Sequence, residues 1–296
     1  MHSATVQAPR WVWLFGPGVG AEIHQTMADS RAQVLIMDLE DFTPPALKAQ
    51  ARAGCGAVLR MWRNAGAQTC VRINALHDQG LSDLMAVMPH APDVIAYPMA
   101  ERAEDLVALD QAITAQEHTL GLSPGQTEIL PVCETARGVL DVRLLAAASP
   151  RVRAALLGTE DLAADLHAQR SPEGEELEHA RRHFVMACRA AQIEPIDAPY
   201  TWAALGGAAQ ETRHAMQLGY RSKSLVRAEH VAETLAVLVP QPAEVHSLQR
   251  LVHAFEAARA AGQERALVDG LWVEVPTYRV ALRRLAEAQA SSKPPA

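Results

Sequence analysis

Several carboxylate side chains follow short apolar segments of the chain, at the point where each segment turns polar. Asp38, Glu40 and Asp41 follow one such segment, and Glu134, the pair Glu160 and Asp161, and Asp197 follow three others. Arg72 ends a further apolar segment and is the arginine of this set. Carboxylates that meet in one cavity repel each other, so a cluster of this kind requires a positive charge to neutralise it.

A divalent cation is the neutralising charge that best fits these residue types. The candidate ligands are all oxygen donors, without His or Cys beside them, which favours Mg²⁺ or Mn²⁺ over Zn²⁺. Carboxylates after strands also serve as helix caps and ion-pair partners. Asp161 could cap a helix, and Asp41 could pair with Lys48 and Arg52. The residues alone therefore leave a metal site and a set of structural carboxylates as alternatives.

The apolar segments that precede these residues are predicted to be β-strands that alternate with helices. Near-continuous apolar runs, such as residues 34–37, are typical of strands buried on both faces of a parallel sheet. Longer segments with helical spacing of apolar residues separate them, for example residues 101–113 and 175–191. The predicted strands comprise residues 11–15, 34–39, 69–73, 94–97, 128–133, 154–157, 194–196 and 220–226.

This alternation predicts an α/β fold, and most simply a (β/α)8 TIM barrel over residues 11–227, because about 250 residues are typical of that fold. An open doubly wound sheet uses the same alternation and is the alternative. Residues 228–296 exceed what a barrel needs and are predicted to form a C-terminal helical extension. In a barrel the active site lies at the C-terminal ends of the strands, where the carboxylates and the arginine are found.

The composition disfavours several other classes of protein. The chain has 296 residues, of which 49% are hydrophobic and 21% charged, as in ordinary globular proteins. Its net charge of −7 disfavours a nucleic-acid binder. No apolar run approaches the roughly 18 residues of a membrane span. The four cysteines are widely spaced and suggest neither a disulfide framework nor a thiolate zinc site, so we expect a cytoplasmic protein.

Taken together, the motifs resemble those of the citrate lyase β-subunit-like group of the HpcH/HpaI aldolase/citrate lyase superfamily. The matching segments are LFGPG at 14–18, DLED at 38–41, VRIN at 71–74, ETARG at 134–138 and GTEDL at 158–162. The group includes malyl-CoA, citramalyl-CoA and citryl-CoA lyases. The resemblance covers residues 11–227 and implies a (β/α)8 barrel.

The resemblance also implies a reaction and a metal. The implied reaction is the reversible cleavage of a 3-hydroxyacyl-CoA to an acyl-CoA and a 2-oxo acid. Glu134 and Asp161 match the residues that hold Mg²⁺ in the group, and Mn²⁺ is an alternative ion. Arg72 matches the arginine that binds the substrate in the group, and Glu134 is also implied to take part in substrate binding. The group forms trimers or hexamers, so we expect a homotrimer or hexamer that acts on a small molecule.

Three further residues are implied to take part in catalysis. Glu40 and Asp41 match a motif that orders the pocket, and the implied partners of this motif are Lys48 and Arg52. Glu274 stands where relatives carry a C-terminal aspartate that reaches a neighbouring subunit's site and transfers a proton. Glutamate is longer than aspartate by one methylene, and a misplacement of about 1 Å can be costly in rate.

The chain departs from the group's pattern at basic residues that would face a coenzyme. Val19 stands where an arginine is usual, and Met99 stands where a lysine is usual. The usual IHPxQ motif is missing after the eighth strand, where Lys223 and Arg227 remain. Two alternatives therefore accompany the CoA lyase: an aldolase that acts on a free 2-oxo acid without CoA, and a non-catalytic paralogue that binds a metal or an acid, or serves as a subunit of a complex.

Overall fold

Eight parallel strands close into a barrel in the computed structural model, which describes residues 9–291. Each strand pairs with its neighbour in sequence, and the first pairs with the last through Val12–Lys223, Trp13–Ser224 and Leu14–Leu225. The predicted (β/α)8 barrel is therefore confirmed, and the open doubly wound sheet is wrong. The strands are β1 (Val12–Pro17), β2 (Val34–Asp38), β3 (Gln68–Arg72), β4 (Val94–Tyr97), β5 (Glu128–Cys133), β6 (Ala154–Leu157), β7 (Glu194–Tyr200) and β8 (Ser222–Leu225).

Helices connect the strands and follow the last of them. They are α1 (Ala21–Asp29), α2 (Lys48–Asn64), α3 (Leu81–Val87), α4 (Ala103–Leu120), α5 (Ala136–Leu140), α6 (Val142–Ala147), α7 (Thr159–Asp165), α8 (Glu178–Ala190), α9 (Gly207–Leu218) and α10 (Val231–Leu238). Helix α9 ends at Gly219, whose φ of 113° is the left-handed conformation that favours glycine at this position. Within residues 9–291, no helix is both long and apolar enough to cross a bilayer.

The centre of the barrel is filled by apolar side chains from successive strands. Strand residues alternate between the interior of a barrel and the surrounding helices, so every second side chain enters this core. The interior residues are Trp13, Phe15, Val34, Ile36, Cys70, Val94, Ala96, Leu130, Val132, Ala154, Leu156 and Ile196. The barrel interior is therefore a packed apolar core. The polar residues that follow the strands lie at the C-terminal mouth of the barrel.

The chain forms two compact units, of which the barrel, Trp11–Thr234, is the first. The second contains residues 235–291, with α11 (Pro242–Ala260), a hairpin of β9 (Ala266–Val268) and β10 (Leu271–Val273), and α12 (Val275–Ser291). Phe255 of α11 packs with Ala266 and Val273 of the hairpin. The predicted extension was expected to be helical, and the hairpin is a difference from that expectation.

Candidate active site

Side chains that follow several barrel strands line one cavity of about 170 Å³. Arg72 ends β3, Glu134 follows β5, and Asp161 lies in the first turn of α7, after β6. The structure therefore brings together four of the predicted site residues, Asp41, Arg72, Glu134 and Asp161. The full lining is Phe15, Asp41, Phe42, Arg72, Val132, Glu134, Leu156, Gly158, Thr159, Glu160, Asp161, Pro199, Thr201 and Val226.

Arg72 is buried between two carboxylates and two aromatic rings. It donates a hydrogen bond to Asp38, and its Nη1 lies 2.7 Å from Glu40 Oε2. Its guanidinium carbon lies 5.3 Å from the centroid of Phe15 and 5.7 Å from that of Phe42. Burial alone would lower the pKa of Arg72, but Asp38 and Glu40 raise it above its usual value. The guanidinium is therefore charged and fixed in one position.

Glu134 is held on both sides of its carboxylate. The backbone N–H of Met99 donates to its Oε1 at 2.7 Å. On the other side lies Gly158. A Cβ atom added to this glycine would lie only 2.7 Å from Oε2 of Glu134 and 2.8 Å from Cβ of Glu134. The space beside the carboxylate exists because position 158 has no side chain.

Two carboxyl groups of the site, those of Glu134 and Glu40, resist ionisation. Burial raises the pKa of Glu134 to about 8 and that of Glu40 to about 7. The charge of Asp161 contributes to both rises and that of Glu40 to the rise at Glu134, whereas the charge of Arg72 opposes them. A divalent cation stabilises the ionised form of such carboxyls, so the donor set fits Mg²⁺ or Mn²⁺.

Protein ligands alone do not surround a metal here. Among residues 9–291, no group of three or more His, Cys, Asp or Glu side chains is arranged to hold an ion. A cation on Glu134 and Asp161 would take its remaining ligands from water and substrate. Mg²⁺ commonly binds in this way, through one or two carboxylates, and keeps several waters.

Sequence reasoning missed three features of this site. Asp38 was included in the carboxylate set, but its pairing with Arg72 was not predicted, although a carboxylate at the end of the buried strand β2 requires a cation. The second feature is the pair of rings, Phe15 and Phe42, that flanks the guanidinium. The third is the N–H of Met99, which depends on a backbone φ of 46° that no sequence signal marks.

The predicted ion pairs of Asp41 with Lys48 and Arg52 are wrong. Lys48 donates to Asn74 Oδ1 at 2.6 Å, and Arg52 donates to Asp83 at 2.7 Å. Helix α2 begins at Lys48, after a short turn at Pro45–Leu47, and this offset directs both side chains to the segment after β3. Asp41 is exposed and lines the cavity.

The prediction that Asp197 belongs to the carboxylate cluster is also wrong. Strand β7 continues past residue 197 as far as Tyr200, with a shift of register between these two residues. Asp197 is fully buried and accepts hydrogen bonds from Arg181 at 3.1 and 2.8 Å and from Lys223 at 2.8 Å. Its charge is thus neutralised within the wall of the barrel and not at the mouth.

The two basic residues expected to face a coenzyme have other partners. Lys223 is fully buried, and its Nζ donates to Asp197, to Glu211 and to the carbonyl of Ala198. Arg227 is 44% exposed and lies 2.5 Å from Glu229. Lys223 therefore cannot contact a ligand in this structure, whereas Arg227 lies at the surface beside a carboxylate.

Glu274 lies in the second unit, between β10 and α12. Its side chain is 57% exposed and lies 3.8 Å from Arg265. An exposed carboxylate is available to a partner, but its part in proton transfer stays a prediction.

Comparison with known proteins matches residues 12–228 to the family described as HpcH/HpaI aldolase/citrate lyase. Citrate lyase subunit beta of Escherichia coli K12 is 33% identical over 280 residues, which cover 94% of this chain and 93% of that protein. L-malyl-CoA/beta-methylmalyl-CoA lyase of Cereibacter sphaeroides is 30% identical, with 92% of each chain covered. The solved citrate lyase beta subunit from M. tuberculosis, complexed with oxaloacetate and magnesium, has a TM-score of 0.63 and 25% identity, covering 79% of this chain and 98% of that one. The resemblance predicted from the motifs is confirmed.

Proposed function

Because the chain belongs to the HpcH/HpaI aldolase/citrate lyase family, and so is an enzyme of the lyase class, we propose that it cleaves a carbon–carbon bond in a 3-hydroxyacyl thioester. Malyl-, citramalyl- and citryl-CoA are the candidate substrates, and the products are an acyl-CoA and a 2-oxo acid. The observation that carries the proposal is the meeting of Arg72, Glu134 and Asp161 in one small cavity. The similarity to a protein named as a malyl-CoA lyase supports a CoA thioester as the substrate.

Glu134 and Asp161 would hold the Mg²⁺ or Mn²⁺ ion of this enzyme. The bound cation would polarise the substrate oxygen that becomes the carbonyl of the 2-oxo acid. The solved relative that carries magnesium and oxaloacetate supports this assignment. The raised pKa values of Glu134 and Glu40 also support it, because a cation would stabilise their ionised forms.

Arg72 would stabilise the charge that cleavage creates. The 3-hydroxyl group gives its proton to solvent water, its carbon becomes a carbonyl, and the bond between C2 and C3 of the acyl chain breaks. The electron pair of that bond passes to C2 and the thioester oxygen as an enolate. A guanidinium already fixed by Asp38 and Glu40 can bind the enolate oxygen without reorganisation, which is how preorganised charge lowers a barrier. Asp41 would complete the polar rim of the pocket.

A proton must then be added at C2 of the enolate to give the acyl thioester. We propose Glu274 for this role, acting from a neighbouring subunit of a homotrimer or hexamer. Its exposure and its place in a segment outside the barrel support a role across a subunit boundary.

A second candidate function is an aldolase that acts on a free 2-oxo acid without CoA. The observation that favours it is the loss of basic groups available to coenzyme phosphates. Lys223 is buried among partners, and Arg227 already lies beside Glu229. Val19 and Met99 replace the other two basic residues.

Proton NMR in D₂O with Mg²⁺ tests the proposal by following methyl exchange of acetyl-CoA and of pyruvate. We expect enzyme-dependent exchange on acetyl-CoA that Glu134→Gln abolishes, because the variant loses an anionic metal ligand. Removal of Mg²⁺ by EDTA should abolish the exchange in the same way.

Glu128→Gln is the matched control, because it makes the same change at the other end of the same strand, where Glu128 pairs with Arg153 at 3.2 Å. This variant should keep its exchange activity. Exchange on pyruvate alone would favour the aldolase without CoA. Exchange on neither compound, with Mg²⁺ bound, would leave the non-catalytic alternative. Full activity of Glu134→Gln would overturn the metal assignment.

A further inference from the structure

Positive charge is scarce in the lining of the active-site cavity. Among residues 9–291, Arg72 is the single basic side chain in this lining. Four acidic side chains line the same cavity, those of Asp41, Glu134, Glu160 and Asp161. We propose that the 2-oxo acid bound here carries a single carboxylate, as pyruvate and glyoxylate do, and not the two of oxaloacetate. This inference rests on the proposed function and narrows its substrate class.

Each positive charge that the cavity would contain is already balanced by carboxylates. Arg72 is paired with Asp38 and Glu40. A divalent cation would be balanced by Glu134 and Asp161. The first carboxylate of an oxo acid can still bind, because chelation with the oxo oxygen displaces water from the cation. A second carboxylate would add like charge without a cation to receive it.

The rest of the wall suits a methyl group or a hydrogen atom better than a carboxylate. It is formed by the apolar side chains of Phe15, Phe42, Val132, Leu156, Pro199 and Val226. Transfer of an ionised carboxylate from water to such a wall is costly unless a partner compensates it.

Two neutral hydroxyl groups do not change this balance. Thr201 donates its hydroxyl to Glu160 at 2.8 Å, and Glu160 lies 3.3 Å from Arg170 outside the cavity lining. The Oγ1 of Thr159 is buried and has no hydrogen-bond partner among residues 9–291. It could donate one hydrogen bond to a substrate oxygen, but a single neutral donor does not offset a full charge.

Isothermal titration calorimetry of the Mg²⁺-loaded protein tests the inference with two matched pairs of ligands. Pyruvate is compared with freshly prepared oxaloacetate, and lactate with malate, a pair that does not decarboxylate. We expect the monocarboxylate of each pair to bind at least about tenfold more tightly, because the second carboxylate is desolvated without a counter-charge. Equal or tighter binding of oxaloacetate and malate would overturn the inference.

A charge variant gives an independent measurement. Phe42 is 42% exposed, so Phe42→Lys adds a cation to the apolar wall without burying it, and Phe42→Met is the uncharged control. Lysine should shift the ratio of malate to lactate affinity toward malate by about threefold to tenfold, and methionine should not. The same ratio in both variants would contradict the charge argument. If neither member of either pair binds with Mg²⁺ present, the metal and oxo-acid site of the proposed function fails, which is a different result from a lost preference.

Discussion

Glu134 owes its position to two residues that contribute no side-chain chemistry. Met99 supplies a backbone N–H to one carboxylate oxygen, and Gly158 leaves room for the other. Gly158 has an ordinary φ of −101°, so alanine can adopt its backbone conformation. Only the added Cβ would matter, and it would have to displace both the carboxylate and the Cβ of Glu134.

We therefore predict that Gly158→Ala weakens metal binding. Groups that orient a metal ligand typically contribute about 10- to 100-fold to metal affinity or activity, and a fall of at least about tenfold is expected here. Electron paramagnetic resonance of free Mn²⁺ measures the affinity directly, without relying on turnover.

Gly56→Ala is the control for the steric change alone. Its Cβ would lie 2.5 Å from the ring of His90, a clash of similar severity outside the cavity lining. This variant should lose stability in thermal unfolding and keep its Mn²⁺ affinity. Unchanged Mn²⁺ affinity in Gly158→Ala would show that Glu134 is either free to move aside or not a ligand.

At the scale of elements, strands β7 and β8 are joined to helix α8 by a buried ionic network. Asp197 of β7 accepts hydrogen bonds from Arg181 of α8 and Lys223 of β8. Asp197→Asn would leave two buried cations with Glu211, 20% exposed, as their remaining carboxylate.

Removing one partner of a buried ion pair costs about 3–5 kcal/mol, and we predict that Asp197→Asn lowers the free energy of unfolding in urea at pH 7 by this amount. Asp29→Asn, on the exposed side of α1, should change it by less than about 0.5 kcal/mol.

The contribution of Asp197 should depend on pH in a defined direction. Burial alone would raise the pKa of Asp197, but Arg181 and Lys223 lower it below the usual 3.8. A lowered folded-state pKa means that the unfolded chain binds the proton more tightly, so acid favours unfolding. The stability difference between the native chain and Asp197→Asn should stay constant from neutral pH to about pH 5, then shrink as the pH falls through 3.8 toward the folded-state pKa. A difference that grows in acid would contradict the assigned charge state.

The elements were largely predictable, and the directions of their side chains were not. All eight strands were predicted, because runs such as residues 34–37 are apolar enough to be buried on both faces. The direction of the Asp197 side chain depends on a register shift within β7, and the direction of the Lys48 side chain depends on where α2 begins. Both are set by tertiary packing, which local periodicity does not encode. The hairpin at Asp269 and Gly270 did carry a local signal, since Asp-Gly favours the positive φ values of 49° and 81° found there.

For the whole molecule, the proposed role of Glu274 separates the two halves of one reaction onto two subunits. Cyclic oligomers repeat the same interface around a closed ring, so every site would combine Glu134 of one subunit with Glu274 of the next. Glu274→Gln alone should lose proton exchange on the acyl thioester and keep Mg²⁺ binding, because this variant keeps the proposed metal ligands, Glu134 and Asp161, unchanged. Glu134→Gln alone should lose both.

Mixing the two inactive variants tests whether the active site is shared. When Glu134→Gln and Glu274→Gln chains are co-refolded in equal amounts, about a quarter of the sites in a cyclic oligomer receive an intact residue from each side, and exchange should recover to about that fraction of the native level. Sites built within one subunit would recover nothing, because no chain in the mixture carries both residues intact. Full activity of Glu274→Gln before mixing would remove Glu274 from the mechanism. Sedimentation of the native chain as a monomer would exclude a shared site, so the size of the particle and the recovery of exchange must agree.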